Sequence, residues 1–271
     1  MDEIEYYLNE DLKEKGDITS DSLFTTQQAS AYIIAGQNCI VAGLDEVKTV
    51  FLKTGATVAL KFFDGDFVKK GAIVAVVSGP ARAILKGERL ALNIVSRMSG
   101  IASETKKLVD LVSSINPKVS IAATRKTTPG FRRFEKKAVV IGGGQAHRYG
   151  LFDVVMIKDN HLKLVDSMKK AVDDIVLQHP NVEIEIEVET ISEAVEAAVL
   201  AVDVIMLDNF SSKDALVAYK KIKQINPHIL VEVSGGITPS NIVDYARCAD
   251  RISLGYLTTS IKNKDFSLKI Q

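Results

Sequence analysis

Five basic residues are placed where they could bind a small ligand with more than one negative charge. They follow three predicted strands of the chain and comprise Arg125, Lys126, His147, Arg148 and Lys158. An arginine pairs with a carboxylate through two parallel hydrogen bonds, and a lysine adds a point charge. The set therefore favours a dicarboxylate or a phosphorylated molecule as the ligand.

Two acidic residues lie at the ends of the next predicted strands. Glu187 and Asp208 offer the carboxylate oxygens that Mg²⁺ takes when it also binds phosphates. Mg²⁺ is therefore the expected cofactor, held by these two residues directly or through water. Acidic residues that face basic ones across one pocket predict a metal-bound polyphosphate beside an anionic partner.

A glycine-rich loop could hold a phosphate group. Ser234, Gly235 and Gly236 precede Thr238, where the sequence predicts the start of a helix, and Gly255 follows the next strand. Glycine lets the backbone approach a phosphate closely, and the amides at a helix N-terminus donate hydrogen bonds to it. Together these residues resemble the phosphate site formed by the last two loops of many α/β barrels.

Other common chemistries lack their motifs in this sequence. The glycine run 142–144 does not have the spacing of a dinucleotide-binding loop, and no G-x-x-x-x-G-K-[ST] loop is present. There is no G-x-S-x-G motif, and the four histidines do not fall at zinc-binding spacing with Cys39 and Cys248. A Schiff base on Lys158 is disfavoured because the charges around it suit ion binding better.

Alternating strands and helices in the second part of the chain must position these residues. We predict strands at Val119–Ala123, Ala138–Ile141, Val154–Ile157, Glu183–Val188, Val204–Leu207, Ile229–Val233 and Arg251–Leu254. Helical patterns lie at Leu162–Leu177, Ser192–Ala201, Lys213–Ile225 and Pro239–Arg247. Such alternation is typical of a parallel sheet covered on both faces. Seven strands predict an α/β barrel one strand short of the usual eight, with its chemistry at the C-terminal strand ends.

The first hundred residues have a different, α+β pattern. Apolar runs at 31–35, 56–63 and 72–78 precede a long predicted helix over Arg82–Gly100. We expect an N-terminal domain over residues 1–103 and a barrel over 104–260. The tail 261–271 is a candidate to return to the N-terminal domain.

Composition places the chain among ordinary globular proteins. It has 271 residues, of which 46% are hydrophobic, and 34 Lys and Arg balance 34 Asp and Glu. Zero net charge argues against a general binder of nucleic acid or of acidic membranes, which needs a broad positive field. The acidic start is unlike a targeting signal, and no apolar run approaches the ~18 residues of a membrane span. We therefore expect a cytoplasmic enzyme with two reduced cysteines.

Several ordered motifs resemble the quinolinate phosphoribosyltransferase family. They include Thr124–Gly130, the glycine run followed by His147–Leu151, Ile157–His161, Leu207–Phe210 and Ser234–Ile237. The resemblance extends through almost the whole chain. It implies an N-terminal α/β sandwich domain joined to an incomplete seven-stranded α/β barrel.

The resemblance also implies an activity. Enzymes of this family transfer the phosphoribosyl group of phosphoribosyl pyrophosphate to quinolinate and decarboxylate it. The products are nicotinate mononucleotide, pyrophosphate and CO₂, in the de novo synthesis of NAD.

Roles for single residues come with that activity. The five basic residues would bind the two quinolinate carboxylates, and Ser234, Gly235, Gly236 and Gly255 would hold the 5-phosphate. Glu187 and Asp208 would face the ribose and the Mg²⁺-pyrophosphate and stabilise the ribosyl cation. Lys126 or Lys158 would assist the decarboxylation.

The resemblance further implies a homo-oligomer, either a dimer or a hexamer. In this family the N-terminal domain of one subunit caps the barrel of its neighbour. Arg89 would then enter the active site of the partner subunit.

Three residues depart from the usual family pattern and keep an alternative open. Ala146 stands in place of an asparagine, Tyr256 in place of a small residue, and Thr259 where histidine is frequent. The alternative is a ModD-like phosphoribosyltransferase, linked to molybdenum-transport operons and acting on a different acceptor. The segment Ile157–His161 favours quinolinate, because the ModD proteins lack it in this form. A non-catalytic anion-binding protein is a further hypothesis, against which the presence of Lys158, Glu187 and Asp208 argues.

Overall fold

The computed structural model describes residues 2–271 and divides them into two compact units. The first unit holds the chain up to Lys106 together with Phe134–Gly142 and Ile261–Gln271. The second unit holds Lys107–Arg133 and Gly143–Ser260. A short stretch from the middle of the chain therefore groups with the first unit.

The first part of the chain, up to Ser113, combines helices with antiparallel strands. Its elements are α1 (Glu3–Leu12), α2 (Ile18–Leu23), β1 (Gln28–Ala35), β2 (Cys39–Ile40), α3 (Leu44–Thr54), β3 (Thr57–Leu60), β4 (Phe67–Val68), β5 (Ile73–Pro80) and α4 (Ala81–Ser113). Strand β5 pairs antiparallel with β1 and β3, and β2 pairs antiparallel with β4. Helix α4 has 33 residues. Within residues 2–271, however, no helix is both long and apolar enough to cross a membrane.

The rest of the chain alternates strands with helices. The elements are β6 (Ser120–Ala123), α5 (Arg132–Ile141), β7 (Val155–Ile157), α6 (Asp159–Leu162), α7 (Met168–Gln178), β8 (Ile184–Val188), α8 (Ile191–Ala197), β9 (Val204–Asp208), α9 (Ser212–Ile225), β10 (Leu230–Ser234), α10 (Ile242–Tyr245), β11 (Arg251–Leu254), α11 (Tyr256–Thr259) and β12 (Phe266–Ile270). Strand β12 pairs antiparallel with β1, so the C-terminal tail completes the sheet of the first unit.

The second unit contains a parallel sheet with the strand order β6-β11-β10-β9-β8-β7. Its first strand, β6, pairs with its last, β11, which is the closure that a barrel requires. On the other side of β6, Gln145 forms a single parallel bridge to Ala122. Among the described pairings none joins Gln145 to β7, so the barrel is open at this seam. The predicted incomplete α/β barrel is confirmed.

The predicted strand at Ala138–Ile141 is wrong, because these residues form the end of helix α5. Side chains on α4 and α3 hold this helix. Glu135 accepts hydrogen bonds of 3.1 and 2.8 Å from Arg97, and Lys137 donates to Glu46 at 2.8 Å. Periodicity alone cannot tell a four-residue apolar strand from a buried helix segment, so distant contacts decide. The single bridge at Gln145 takes the place of the missing strand.

Two predicted helices differ from the observed ones in their bounds. Helix α10 starts at Ile242 after a turn at residues 239–241, so the predicted cap at Thr238 is wrong. Asn241 closes that turn by accepting a 2.8 Å hydrogen bond from the backbone of Thr238. The predicted helix Leu162–Leu177 is divided into α6 and α7, because Ser167 caps a new helix by accepting from the backbone of Lys170.

Candidate active site

The C-terminal ends of the parallel strands surround a cavity of about 560 Å³ in the second unit. All but one of the predicted site residues line it: Arg125, Lys126, His147, Arg148, Lys158, Glu187, Asp208, Ser234, Gly235, Gly236 and Gly255. They come together because parallel strands end at one rim, however far apart they lie in sequence. The exception is Arg89, which is exposed on α4 of the first unit.

Arg148 gives one side of the cavity a buried positive charge. The residue is 6% exposed, and its guanidinium donates to the carbonyl oxygen of Val154 at 3.3 Å and to the sulfur of Met156 at 3.1 Å. Burial lowers the pKa of Arg148, and the charge of nearby Arg125 lowers it further. Arginine nevertheless stays protonated in proteins, so this side of the cavity favours an anion.

Lys158 lies between the basic and the acidic residues of the cavity. Its ammonium group donates to Oε2 of Glu187. Its backbone is extended at the N-terminus of α6, where the amide donates to Nδ1 of His161 at 2.9 Å. The contact with His161 fixes the point from which the lysine reaches into the cavity.

Glu187 and Asp208 form the acidic side of the cavity. Burial raises the pKa of Asp208, and the negative charge of Glu187 raises it further. Asn209 donates to Oδ2 of Asp208 at 2.6 Å. Two half-buried carboxylates that repel each other are the oxygen donors that suit Mg²⁺, because a cation would relieve that repulsion. The residues present therefore fit the expected metal.

The loop after β10, which is the predicted phosphate site, contains two glycines in the left-handed backbone region. Gly235 and Gly236 have φ angles of +82° and +62°. A Cβ atom at Gly235 would lie 2.3 Å from Oδ1 of Asn209, whereas one at Gly236 would meet no atom within 4 Å. The backbone amide of Asn209 donates to the carbonyl oxygen of Ser234 at 3.0 Å, which ties this loop to the end of β9. Glycine is required at Gly235 for packing as well as for φ.

Gly255 makes room for one of the lysines. A Cβ atom there would lie 2.9 Å from Cδ of Lys126. The hydroxyl of Thr258 donates to the carbonyl oxygen of Lys126 at 2.6 Å, so the loop after β6 is held against the end of β11. The absence of a side chain at Gly255 therefore lets Lys126 cross into the cavity.

Two of the three residues that depart from the family pattern also line the cavity. They are Tyr256 and Thr259, on the short helix α11. The hydroxyl of Thr259 donates to the carbonyl oxygen of Gly255 at 3.0 Å, within its own helix. Its hydroxyl proton is thus used next to the predicted phosphate site.

The sequence prediction missed three ionisable residues in the interior of the barrel. Glu185, Glu232 and Arg251 are buried, and Glu232 also lines the cavity. Arg251 donates to Oε2 of Glu232, and its terminal nitrogen lies 3.8 Å from Oε2 of Glu185. The alternation of Glu183, Glu185 and Glu187 was a usable signal, because every second residue of a barrel strand points inward.

These acids also surround His147. Its Nε2 atom lies 3.0 Å from Oε2 of Glu185 and 3.7 Å from Oε2 of Glu232. Burial raises the pKa of Glu185 to about 7, and burial together with Glu185 raises the pKa of Glu232. The possible ligand atoms of His147, Glu185 and Glu232 all lie within 4.8 Å of one another. The guanidinium of Arg251 already contacts both carboxylates, so this group suits a metal ion less well than Glu187 and Asp208 do.

Comparison with known sequences gives a consistent result across the chain. Residues 17–99 match the N-terminal domain of the quinolinate phosphoribosyl transferase family, and residues 101–269 match its C-terminal domain. A protein of Archaeoglobus fulgidus is 41% identical over 258 residues, which cover 94% of this chain and 98% of the relative. Its name is probable nicotinate-nucleotide pyrophosphorylase (carboxylating). The rat nicotinate-nucleotide pyrophosphorylase (carboxylating) is 38% identical, covering 89% of this chain and 82% of the relative.

A solved structure agrees with these matches. The crystal structure of nicotinate-nucleotide pyrophosphorylase from Ehrlichia chaffeensis superposes with a TM-score of 0.91. The two sequences are 36% identical, and the match covers 99% of this chain and 97% of the other. Both units of the chain therefore have counterparts in that structure.

Proposed function

The chain belongs to the quinolinate phosphoribosyltransferase family, and on this basis we propose that it converts quinolinate and phosphoribosyl pyrophosphate into nicotinate mononucleotide, pyrophosphate and CO₂. This is a carboxylating nicotinate-nucleotide pyrophosphorylase reaction, a phosphoribosyl transfer of NAD synthesis. The relatives described above carry the name of this enzyme, so the ModD-like alternative gains no support from them.

One observation carries the proposal. A single cavity brings five basic side chains together with two carboxylates and a glycine loop of positive φ. The basic residues suit a dicarboxylate, the carboxylates suit a magnesium-bound polyphosphate, and the loop suits a terminal phosphate. The two substrates present this combination of groups.

The acceptor would bind on the basic side of the cavity. Arg125 and Arg148 can each pair with a carboxylate through two hydrogen bonds, and Lys126, His147 and Lys158 add single donors. The positive charges of Arg125 and Arg148 repel each other. Two carboxylates on adjacent ring atoms would neutralise that repulsion. The ammonium group of Lys158 now donates a hydrogen bond to Glu187. It would donate to a carboxylate of the acceptor instead, or to both.

The ribosyl donor would bind on the acidic side. Glu187 and Asp208 would hold Mg²⁺ directly or through water, and the metal would supply charge neutralisation for the pyrophosphate leaving group. As the bond from C1′ to the pyrophosphate oxygen breaks, positive charge develops on the ribose. A carboxylate beside the ring stabilises that charge while the pyridine nitrogen forms the new bond to C1′.

Decarboxylation would follow on the ribosylated ring. The bond between the ring carbon and its 2-carboxylate breaks, CO₂ leaves, and the electron pair stays on the ring carbon. The positive pyridinium nitrogen next to it stabilises this pair, and Lys126 or Lys158 would supply the proton that forms the new C–H bond. Both lysines line the cavity.

The proposal is tested by the release of ¹⁴CO₂ from quinolinate labelled in the 2-carboxylate. Phosphoribosyl pyrophosphate and Mg²⁺ are each supplied or omitted, with chelator in the metal-free samples. We expect release only when both are present, together with an equal amount of nicotinate mononucleotide. Pyrophosphate release with a different acceptor, and none with quinolinate, would refute the assignment.

The assembly and the location of the protein belong to the same proposal. We expect a dimer or a hexamer in which Arg89 of one subunit completes the active site of its neighbour, as the family resemblance implies. Arg89 is available for such a role because it is exposed on α4. The proposed compartment is the cytoplasm, where the free thiols of Cys39 and Cys248 would stay reduced.

A further inference from the structure

Three buried ionisable side chains lie behind His147 and have no part in the reaction described above. Glu185 and Glu232 are 0% exposed, and Arg251 is 7% exposed. They come from three different strands of the barrel: β8, β10 and β11. They form a chain of contacts. Arg251 contacts Glu232 and Glu185, and Glu185 contacts Nε2 of His147.

The strand register fixes this arrangement. Glu232 pairs directly with Arg251 across β10 and β11, and Glu185 pairs with Met156 across β8 and β7. Side chains at paired positions point the same way from a sheet, in this case into the barrel. The carboxylate of Glu185 is therefore held by regular backbone pairing, with the guanidinium of Arg251 on its far side.

Such a group is costly for folding alone. Two carboxylates and a guanidinium lose hydration when buried, and apolar side chains of similar size commonly give equal or greater stability. The interior of this barrel elsewhere uses apolar residues such as Met156 and Met206. A functional use of the charged group is the simpler explanation.

His147 is the residue that needs support. Its backbone has φ of 53°, in the left-handed region that residues with a Cβ seldom occupy. It lies two residues after the single bridge at Gln145, beside the open seam of the barrel. Backbone pairing therefore does little to orient its ring, whereas the 3.0 Å contact with Glu185 fixes Nε2 directly.

We propose that Glu185, held by Arg251, which Glu232 in turn anchors, is a positioning residue that orients the imidazole of His147 for binding the acceptor carboxylates. This inference rests on the proposed function. Glu185 acts through His147 and is not itself a catalytic residue, because the imidazole lies between it and the acceptor.

The test measures the binding of quinolinate, by calorimetry on the full-length protein, and the kinetics of CO₂ release. Glu185→Ala removes the hydrogen-bond partner of Nε2 of His147. We expect it to raise Kd and KM for quinolinate about tenfold while KM for phosphoribosyl pyrophosphate stays unchanged. Glu185→Gln keeps an oxygen at the same place, and we expect it to restore Kd to within about threefold of the wild-type value. Glu196→Gln, the same change at an exposed site on α8, is the matched control and is expected to have no effect.

A double-mutant cycle separates positioning from general damage. In a His147→Ala background, Glu185→Ala should change Kd by less than about twofold, because the group it orients is gone. If Glu185→Ala does not fold, the same measurement is made on Glu185→Met, which keeps the side-chain volume but removes the carboxylate. An equal loss in both backgrounds, or no loss in the wild-type background, would overturn the inference. Failure of the wild-type protein to bind quinolinate or release CO₂ would instead refute the proposed function.

Discussion

Lys158 is the residue on which the two sides of the cavity meet, since it pairs with Glu187 and belongs to the basic set. We expect Lys158→Ala to lower kcat/KM for quinolinate by at least about a hundredfold, because a cation facing the reacting ring is lost. Lys163→Ala is a suitable control. Lys163 is exposed and pairs only across one helical turn with Asp159, an interaction of small energy.

The rate of CO₂ release from labelled quinolinate gives the comparison. Lys163→Ala should keep the wild-type rate within about twofold, as expected for an exposed surface change. A Lys158→Ala variant that retains more than a tenth of the wild-type activity would contradict the role given to this lysine.

At the same scale, the sequence was informative wherever a residue directly follows a strand. Arg125, Lys158 and Asp208 were found because parallel strands deliver their ends to one rim. Glu232 was missed because it lies inside a strand between two valines, and Arg251 because it begins a strand at the end opposite to the predicted site. Their pairing depends on a strand register that only the folded sheet defines.

Among the elements, the loop after β10 allows a controlled comparison of two glycines. Both have positive φ, but a side chain at Gly235 would also collide with Asn209. Gly236→Ala should therefore cost only the backbone strain, about 1 to 2 kcal/mol in stability. Gly235→Ala should cost more than Gly236→Ala and should raise KM for phosphoribosyl pyrophosphate further, because the loop must shift away from the end of β9.

Urea denaturation and the two KM values measure these effects. KM for quinolinate should change less than KM for phosphoribosyl pyrophosphate in Gly235→Ala, because the loop lies on the donor side of the cavity. Equal effects of the two alanine variants would show that the contact with Asn209 does not constrain the loop.

The prediction of elements succeeded where apolar runs and helical patterns alternated, and failed at one short run. Val204–Asp208 and Arg251–Leu254 are strands close to the predicted bounds. Ala138–Ile141 is helical because Glu135 and Lys137 find partners on α4 and α3. Those partners are roughly 40 and 90 residues away in sequence. A hydrophobic pattern is identified within a window of about a dozen residues, so it carries no information on such distant partners.

For the whole molecule, the two thiols report on the integrity of the two units. Cys39 belongs to the first unit and Cys248 to the second, and both are buried. Burial raises the pKa of each thiol to about 11. At pH 8 each folded-state thiol should then hold about a hundredfold less thiolate than in the unfolded chain. Native protein should react with iodoacetamide at least about a hundredfold more slowly than protein in urea.

The same pKa shifts set a direction for stability at high pH. A thiol whose pKa is higher in the folded state keeps its proton while the unfolded chain loses one, so stability falls as pH rises from about 9 to 11. Replacing both cysteines by alanine should reduce that fall. Mass spectrometry gives the labelling rates, and urea midpoints across this range give the stability. Rapid labelling of either thiol in the native protein would contradict the burial described for its unit.

The seam between Gln145 and β7 leaves the two ends of the site with unequal support from backbone pairing. His147 and Arg148 follow the bridge on one side of the seam, and Lys158 follows β7 on the other. The glycine loop instead follows β10, which is hydrogen-bonded to strands on both sides. The acceptor loses a carboxylate during the proposed reaction, so its contacts must change while the nucleotide phosphate stays bound. Side-chain contacts such as that between His147 and Glu185 hold the acceptor end, whereas regular backbone pairing holds the phosphate end.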